Sequence, residues 1–112
     1  MKMVRGIIRS ERASEVFNAL SEMGILNATL FHMLAVGPHT DPDATKVSFE
    51  FGPQANRMVC LELICPDRDE TRIVEVVRRA ARTGQAGDGV IAVHNLNRLV
   101  KIRTGAESTE AL

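Results

Sequence analysis

The sequence has no tryptophan and no tyrosine, and four phenylalanines are its whole aromatic content. Its interior must therefore rest on aliphatic side chains, which a hydrophobic fraction of 45% supplies. It has no surplus of charge either, because 14 basic and 14 acidic residues cancel. That balance excludes a generic nucleic-acid or membrane-surface binder, whose affinity depends on excess positive charge. Long apolar runs are missing, so no segment suits a bilayer-spanning helix. The start, MKMVRGIIRSE, carries neither the apolar stretch nor the small-residue cleavage site of a secretory signal. Cysteine is scarce. Cys60 and Cys65 fall in one expected strand, on opposite faces and roughly 16 Å apart, beyond disulfide reach. The expectation is a reduced, cytoplasmic protein with no membrane insertion and no nucleic-acid partner.

What is present fits a single domain over residues 1–112. So small a domain buries a limited share of its surface, and oligomerisation would help its stability. Residues 2–9 read as an opening strand, with Val4, Ile7 and Ile8 available to the interior. A helical pattern follows to about Met23, carrying Val16, Phe17, Leu20 and Met23 on one face. Ser10 is the expected cap and Gly24 the expected stop. Residues 27–36 read as the second strand. The stretch 37–55 is punctuated by Pro38, Pro42, Gly52 and Pro53, yet Val47, Phe49 and Phe51 alternate with polar residues as in a strand. It reads as a long loop or protruding hairpin, an excursion of the kind that usually serves function.

Residues 57–65 form the next expected strand, and Pro66 ends it. Asp67 or Asp69 then caps a helix bearing Ile73, Val74, Val76 and Val77, which stops near Thr83-Gly84. A strand at 90–93, a helical turn opened by Asn95, the tail KIRTG and a frayed end complete the chain. The order β-α-β, long loop, β-α-β predicts an α+β, ferredoxin-like double βαβ fold.

Two segments carry chemistry. Residues 82–90 place Gly84, Gly87 and Gly89 around Asp88, so positive φ angles can leave several backbone N–H groups exposed. Such a nest suits phosphate, although on the glycine pattern alone an ordinary helix-to-strand turn is the better reading. In residues 101–105, Lys101 and Arg103 alternate, and in an extended stretch both would point to one side. Two such cations can grip a polyphosphate. Alone, the segment reads better as a charged surface strand.

Together, AARTGQAGDGVIAVHNLNRLVKIRTG resembles the C-terminal region of the PII signal-transduction family, in which an AARTGxxGDGxI-type turn and an RxRTG-type tail occur at this separation. The resemblance extends through MKMVRGIIRSERASEVFNALSEMGI and over nearly the whole chain. It implies a homotrimer with nucleotide sites between neighbours, taking ADP or ATP, with AMP as a further candidate. It assigns Gly87, Asp88 and Gly89 to the nucleotide from one subunit, and Lys101 and Arg103 from the next. Ile7, Glu62 and Ile64 would border the base, Thr29 would lie near the same cleft, and Gly37 would start the family's partner-binding T-loop, here 37–55. The implied target is a protein such as a membrane transporter or a metabolic enzyme.

The departures are specific. Val90 stands where the family usually has a phosphate-binding lysine, and Pro38-His39 where it has arginine and glutamine. Met58 replaces a lysine that pairs with 2-oxoglutarate, and Phe51 replaces a tyrosine that receives a nucleotidyl group. These predict weak or absent 2-oxoglutarate sensing, a doubtful Mg²⁺ and no uridylylation. Each lost cation removes a charge-assisted hydrogen bond of about 1.5–3 kcal/mol.

His32, His39, His94, Cys60 and Cys65 match no compact zinc pattern. His39 alone is kept as a candidate for an ion or small anion, from its place on the loop. Phe49 and Phe51 suit either packing or exposed anchors for a partner. No catalytic constellation is evident, and the expectation is a regulator, not an enzyme. The rival expectations are a trimeric metal-linked regulator or metal-tolerance protein on the same fold, and a weak nucleotide hydrolase.

Overall fold

The structure, a computed structural model, describes residues 1–36, 46–48 and 52–112, with 46–48 and 52–56 described by backbone alone. Its strands are β1 (Lys2–Arg9), β2 (Ala28–Val36), β3 (Lys46–Ser48), β4 (Gly52–Cys65) and β5 (Gly89–Asn95), and its helices α1 (Ala13–Glu22) and α2 (Glu70–Ala81). The sheet order is β2-β4-β1-β5, antiparallel throughout, with β3 paired to β4. This is the ferredoxin-like order. The central strands are β4 and β1, and both helices lie on one face of them.

Strand parity decides what is covered. Val4 and Ile8 of β1 and Val59, Leu61, Leu63 and Cys65 of β4 face the helices and join Val16, Leu20, Ile73 and Val77 in the core. Burying each such side chain contributes about 1.5–3 kcal/mol. The alternate residues face the side without helices, where Met58 and Cys60 are also buried but Phe31 and Val90 are 43% and 37% exposed. Phe17, expected in the core, is 39% exposed, because Val16 and Leu20 alone complete the buried stripe of this short helix.

Both helices begin differently from expectation. Neither Ser10 nor Asp67 nor Asp69 provides a side-chain cap. Each helix instead grows out of a single 3-10 turn, Ser10–Arg12 or Asp67–Asp69, whose carbonyls accept the N–H of Ala13 and Glu70. The i→i+3 bonds satisfy donors that a side chain would otherwise cap. Ser10 Oγ donates to the Arg57 carbonyl at 3.5 Å. Gly24 does end α1. With φ at +84°, it donates to the Ser21 carbonyl while Ile25 donates to that of Leu20, both at 2.9 Å. This is the paired closure of a Schellman motif.

Three further elements differ. β4 starts at Gly52, so the C-terminal part of the 37–55 excursion is strand, registered on β2 as far as Val36↔Ala55 and on β3 through Lys46↔Ala55. The hairpin alternative holds for the described part. After β5 no helical turn forms; Leu96 donates to the Met1 carbonyl at 3.0 Å instead. The last residues form a 3-10 turn, Ser108–Ala111.

Gly24 and Gly89 make a matched pair for testing. Both have positive φ, but a Cβ on Gly24 meets nothing within 4 Å, whereas one on Gly89 would lie 1.8 Å from the Ile7 carbonyl oxygen. Urea unfolding should therefore give a loss of about 1 kcal/mol for Gly24→Ala and more than about 3 kcal/mol for Gly89→Ala. Equal losses would show that the close approach to β1 has no cost.

Candidate functional site

The site grows from the junction of α2 with β5. Arg12 donates from Nε and a terminal nitrogen to the Ala80 carbonyl, at 3.0 and 2.7 Å, satisfying the end of α2. The next N–H groups, of Thr83 and Gly84, both donate to Asp88 Oδ2 at 2.9 Å. They are thereby withdrawn from the helix, which ends at Ala81. The Thr83 hydroxyl donates to Asp88 Oδ1, and so does Arg9 Nε at 2.8 Å. A terminal nitrogen of Arg9 also donates to the Ala86 carbonyl at 2.8 Å, and the Arg9 residue is only 6% exposed. Burial by itself would raise the Asp88 pKa. The hydrogen bonds from Thr83, Arg9 and Gly84 outweigh it and hold the carboxyl well below the usual carboxylate range.

Asp88 thus faces into the turn and organises it. Gly84, Gly87 and Gly89 all have positive φ, at 91°, 98° and 98°. The N–H groups of Ala86 and Gly87 meet no acceptor among the described residues. Arg82, Asp88 and Gly89 of the turn reach a cleft of about 400 Å³ that is lined also by Ile7, Ile8, Val74, Arg78, Ala81, Val90 and Ile91. A turn with amides unengaged among the described residues, joined to a cleft with an apolar wall and two guanidinium groups, can hold an anion attached to a flat apolar group.

A second cleft, of about 260 Å³, gathers Thr29, Glu62 and Ile64 with Met3, Asn27 and the C-terminal Leu99, Ala111 and Leu112. Thr29 and Glu62 are register partners across β2 and β4. Glu62 is ion-paired with Arg5, its partner across β1, and Arg5 Nε is buried with no acceptor among the described residues. One chain therefore brings Ile7, Asp88 and Gly89 to one cleft and Thr29, Glu62 and Ile64 to another.

Lys101 and Arg103 line neither cleft. Their segment is a tight turn, not the extended stretch expected. Gly105 donates to the Lys101 carbonyl and Lys101 to that of Ala106, each at 2.8 Å, and Gly105 has φ +74°. The glycine permits the reversal, Val100 bridges Glu107 across it, and Ile102 is fully exposed at its tip. Gly37, Pro38, His39, Phe49 and Phe51 lie outside the described residues, as does most of the T-loop expectation. Among the described residues no three His, Cys, Asp or Glu gather as metal ligands. Cys60 and Cys65 are free and buried, and burial raises both thiol pKa values, with Glu62 adding to the first and Asp69 to the second. They are packing residues with little thiolate character. No helix of the described residues is long and apolar enough to cross a membrane.

Arg9 and Arg12 were not singled out from sequence. Their partners lie 77–79 and 68 positions away, so no local pattern signals them. Asp88→Asn should lower stability at neutral pH by about 2 kcal/mol, the scale of a hydrogen bond to a charged group. Because the folded-state pKa of Asp88 is depressed, its contribution is present above the unfolded value of about 3.9 and is lost as pH falls below it. Denaturation of both proteins between pH 7 and 3 should show curves that converge on acidification. A gap that stays constant to pH 3 would contradict this.

Comparison with known proteins places the chain in a family. The family model described as nitrogen regulatory protein P-II matches residues 1–106. The nitrogen regulatory protein P-II of Rhizobium etli is 34% identical over 116 residues, and that of Microchaete diplosiphon 31% identical over 112, each covering 100% of both chains. Nitrogen regulatory protein P-II 1 of Escherichia coli is 30% identical over 112 residues, again across both chains in full. The chain belongs to the P-II family of nitrogen regulatory proteins.

Proposed function

We propose that this P-II regulator binds an adenine nucleotide, ADP or ATP, between the subunits of a homotrimer, and that occupancy controls a target protein through residues 37–55. The observation that carries the reading is the turn organised by Asp88, whose Ala86 and Gly87 amides meet no acceptor among the described residues and whose Asp88 and Gly89 line a cleft with Ile7 and Val90. Gly87 and Gly89 give the backbone its approach to phosphate, and Asp88 acts through the backbone it holds. AMP fits the same cleft with fewer phosphate contacts.

The division of the site supports assembly. Ile7, Asp88 and Gly89 are apart from Thr29, Glu62 and Ile64, and the cations Lys101 and Arg103 stand on a separate turn. A second copy would bring its tail turn to the first copy's cleft. The helix-free face of the sheet supports the same conclusion, with Phe31 and Val90 partly exposed and Arg5 Nε in want of an acceptor. Covering that face would bury apolar area that a 112-residue chain does not bury alone.

The control step is a population shift, in which the nucleotide contacts the 37–55 segment better in one of its conformations. Gly37 and His39 are the proposed points of contact, and Phe49 and Phe51 the proposed partner anchors. The target is proposed to be a transporter or a metabolic enzyme.

Calorimetric titration of the purified protein with ATP, ADP and AMP, with and without Mg²⁺, tests the ligand. Binding of at least one is expected, and binding of none would overturn the reading. Light scattering on the eluting species should give a mass three times that of the 12.3 kDa chain. A monomer throughout the micromolar range would overturn the intersubunit site.

A further inference from the structure

Val90 sets an apolar side chain directly after the glycine-rich turn, at the edge of the same cleft. An anion seated on the turn therefore receives no countercharge from that position. Arg9, the nearest buried cation, is engaged by Asp88 and the Ala86 carbonyl. Two other guanidinium groups line the cleft. Arg78 has one long contact, 3.8 Å, with Glu75, which Arg79 engages at 3.0 Å. Arg82 has no ion pair or side-chain hydrogen bond among the described residues. Its guanidinium folds back over the turn, with a terminal nitrogen 3.8 Å from where a Cβ of Gly84 would stand. It is thus placed beside Gly84, within the same turn.

We propose that Arg82, with Arg78 beside it, supplies the countercharge for a phosphate seated on the 83–89 turn, and so sets the preference of this cleft for the number of phosphates on its ligand. The nucleotide identity of that ligand rests on the function proposed above; the anion site does not. A planar guanidinium can meet two phosphate oxygens at once, and a terminal phosphate offers more free oxygens than an internal one. Arg82 therefore favours ADP and ATP over adenosine and AMP. A purely structural role is the competing explanation, since cations at the end of a helix also complement its carbonyl dipoles.

Calorimetry on the full chain with adenosine, ADP and sodium tripolyphosphate separates the two, using the unmodified protein, Arg82→Ala, Arg82→Lys and the double variant Arg82→Ala/Val90→Lys. Losing one charge-assisted contact should weaken ADP and tripolyphosphate about tenfold in Arg82→Ala. Adenosine should bind unchanged, Arg82→Lys should keep part of the affinity, and Val90→Lys should restore ADP binding in the double variant. ADP and tripolyphosphate affinities unchanged in Arg82→Ala would overturn the proposal. So would an equal loss for adenosine, because that is the signature of a disturbed fold. If the unmodified protein binds tripolyphosphate in an Arg82-dependent way but no nucleotide, the anion site stands and the nucleotide function falls. If it binds ADP with no dependence on Arg82, the function stands and this proposal falls.

Discussion

The ion pair between Arg9 and Asp88 is the contact on which the glycine-rich turn and its flanking elements depend. Asp88 closes a ring from the end of α2 to the start of β5, and Arg9 ties that ring to the end of β1. Arg9 is nearly fully buried, so removing its partner would leave a desolvated cation, a far larger cost than losing an exposed pair. The same contact sets the chain's path. Asp88 takes the N–H groups that would prolong α2, and the residue after it passes close enough to Ile7 that only glycine fits. Turn shape, helix end and strand start are one constraint.

That constraint also explains how an acidic residue can sit at the centre of a proposed phosphate site. A free carboxylate there would repel the ligand. Asp88 is engaged by two backbone amides, a hydroxyl and a guanidinium, so its charge is compensated within the chain. The Ala86 and Gly87 amides are not used by the carboxylate. A substitution at Asp88 would act on ligand binding by releasing the turn, whereas one at Arg82 would act by removing charge.

The scaffold was legible in sequence wherever the hydrophobic period was regular. β1 was placed at its observed bounds, and Val16 with Leu20, and Ile73 with Val77, were placed on buried stripes. Gly24 was legible because a left-handed helix stop has a local chemical signature. The helix starts were not, because 3-10 turns satisfy the same donors with carbonyls that any sequence possesses. β4 was read five residues short, starting at 57 instead of Gly52, since Gly52 and Pro53 look like breakers and only pairing with β2 and β3 makes them strand. The Lys101–Arg103 stretch looked extended because alternation was read without the closure that Gly105 permits. The glycine-rich turn was found from its composition. Its holders, Arg9 and Arg12, were not, because what defines them is a distance in space.

Strand β4 gives the proposed switch a physical route. It begins within the 37–55 segment at Gly52, carries Met58 against the start of β5, and brings Glu62 and Ile64 to the second cleft near its end. Met58 Cε lies 3.3 Å from where a Cβ of Gly89 would stand, so the turn and the strand leading to the segment are in contact. A lysine at position 58 would place a charge there; methionine makes the junction apolar and close-packed. Close-packed contacts transmit displacement but cannot distinguish one anion from another. Any selectivity of the switch must therefore come from groups that touch the ligand directly. In the proposed site those are the turn amides, Arg78 and Arg82, with Lys101 and Arg103 of a second copy and whatever Gly37 to His39 add. With Met58 and Val90 both uncharged, the proposed site can draw its discrimination only from such directly contacting groups.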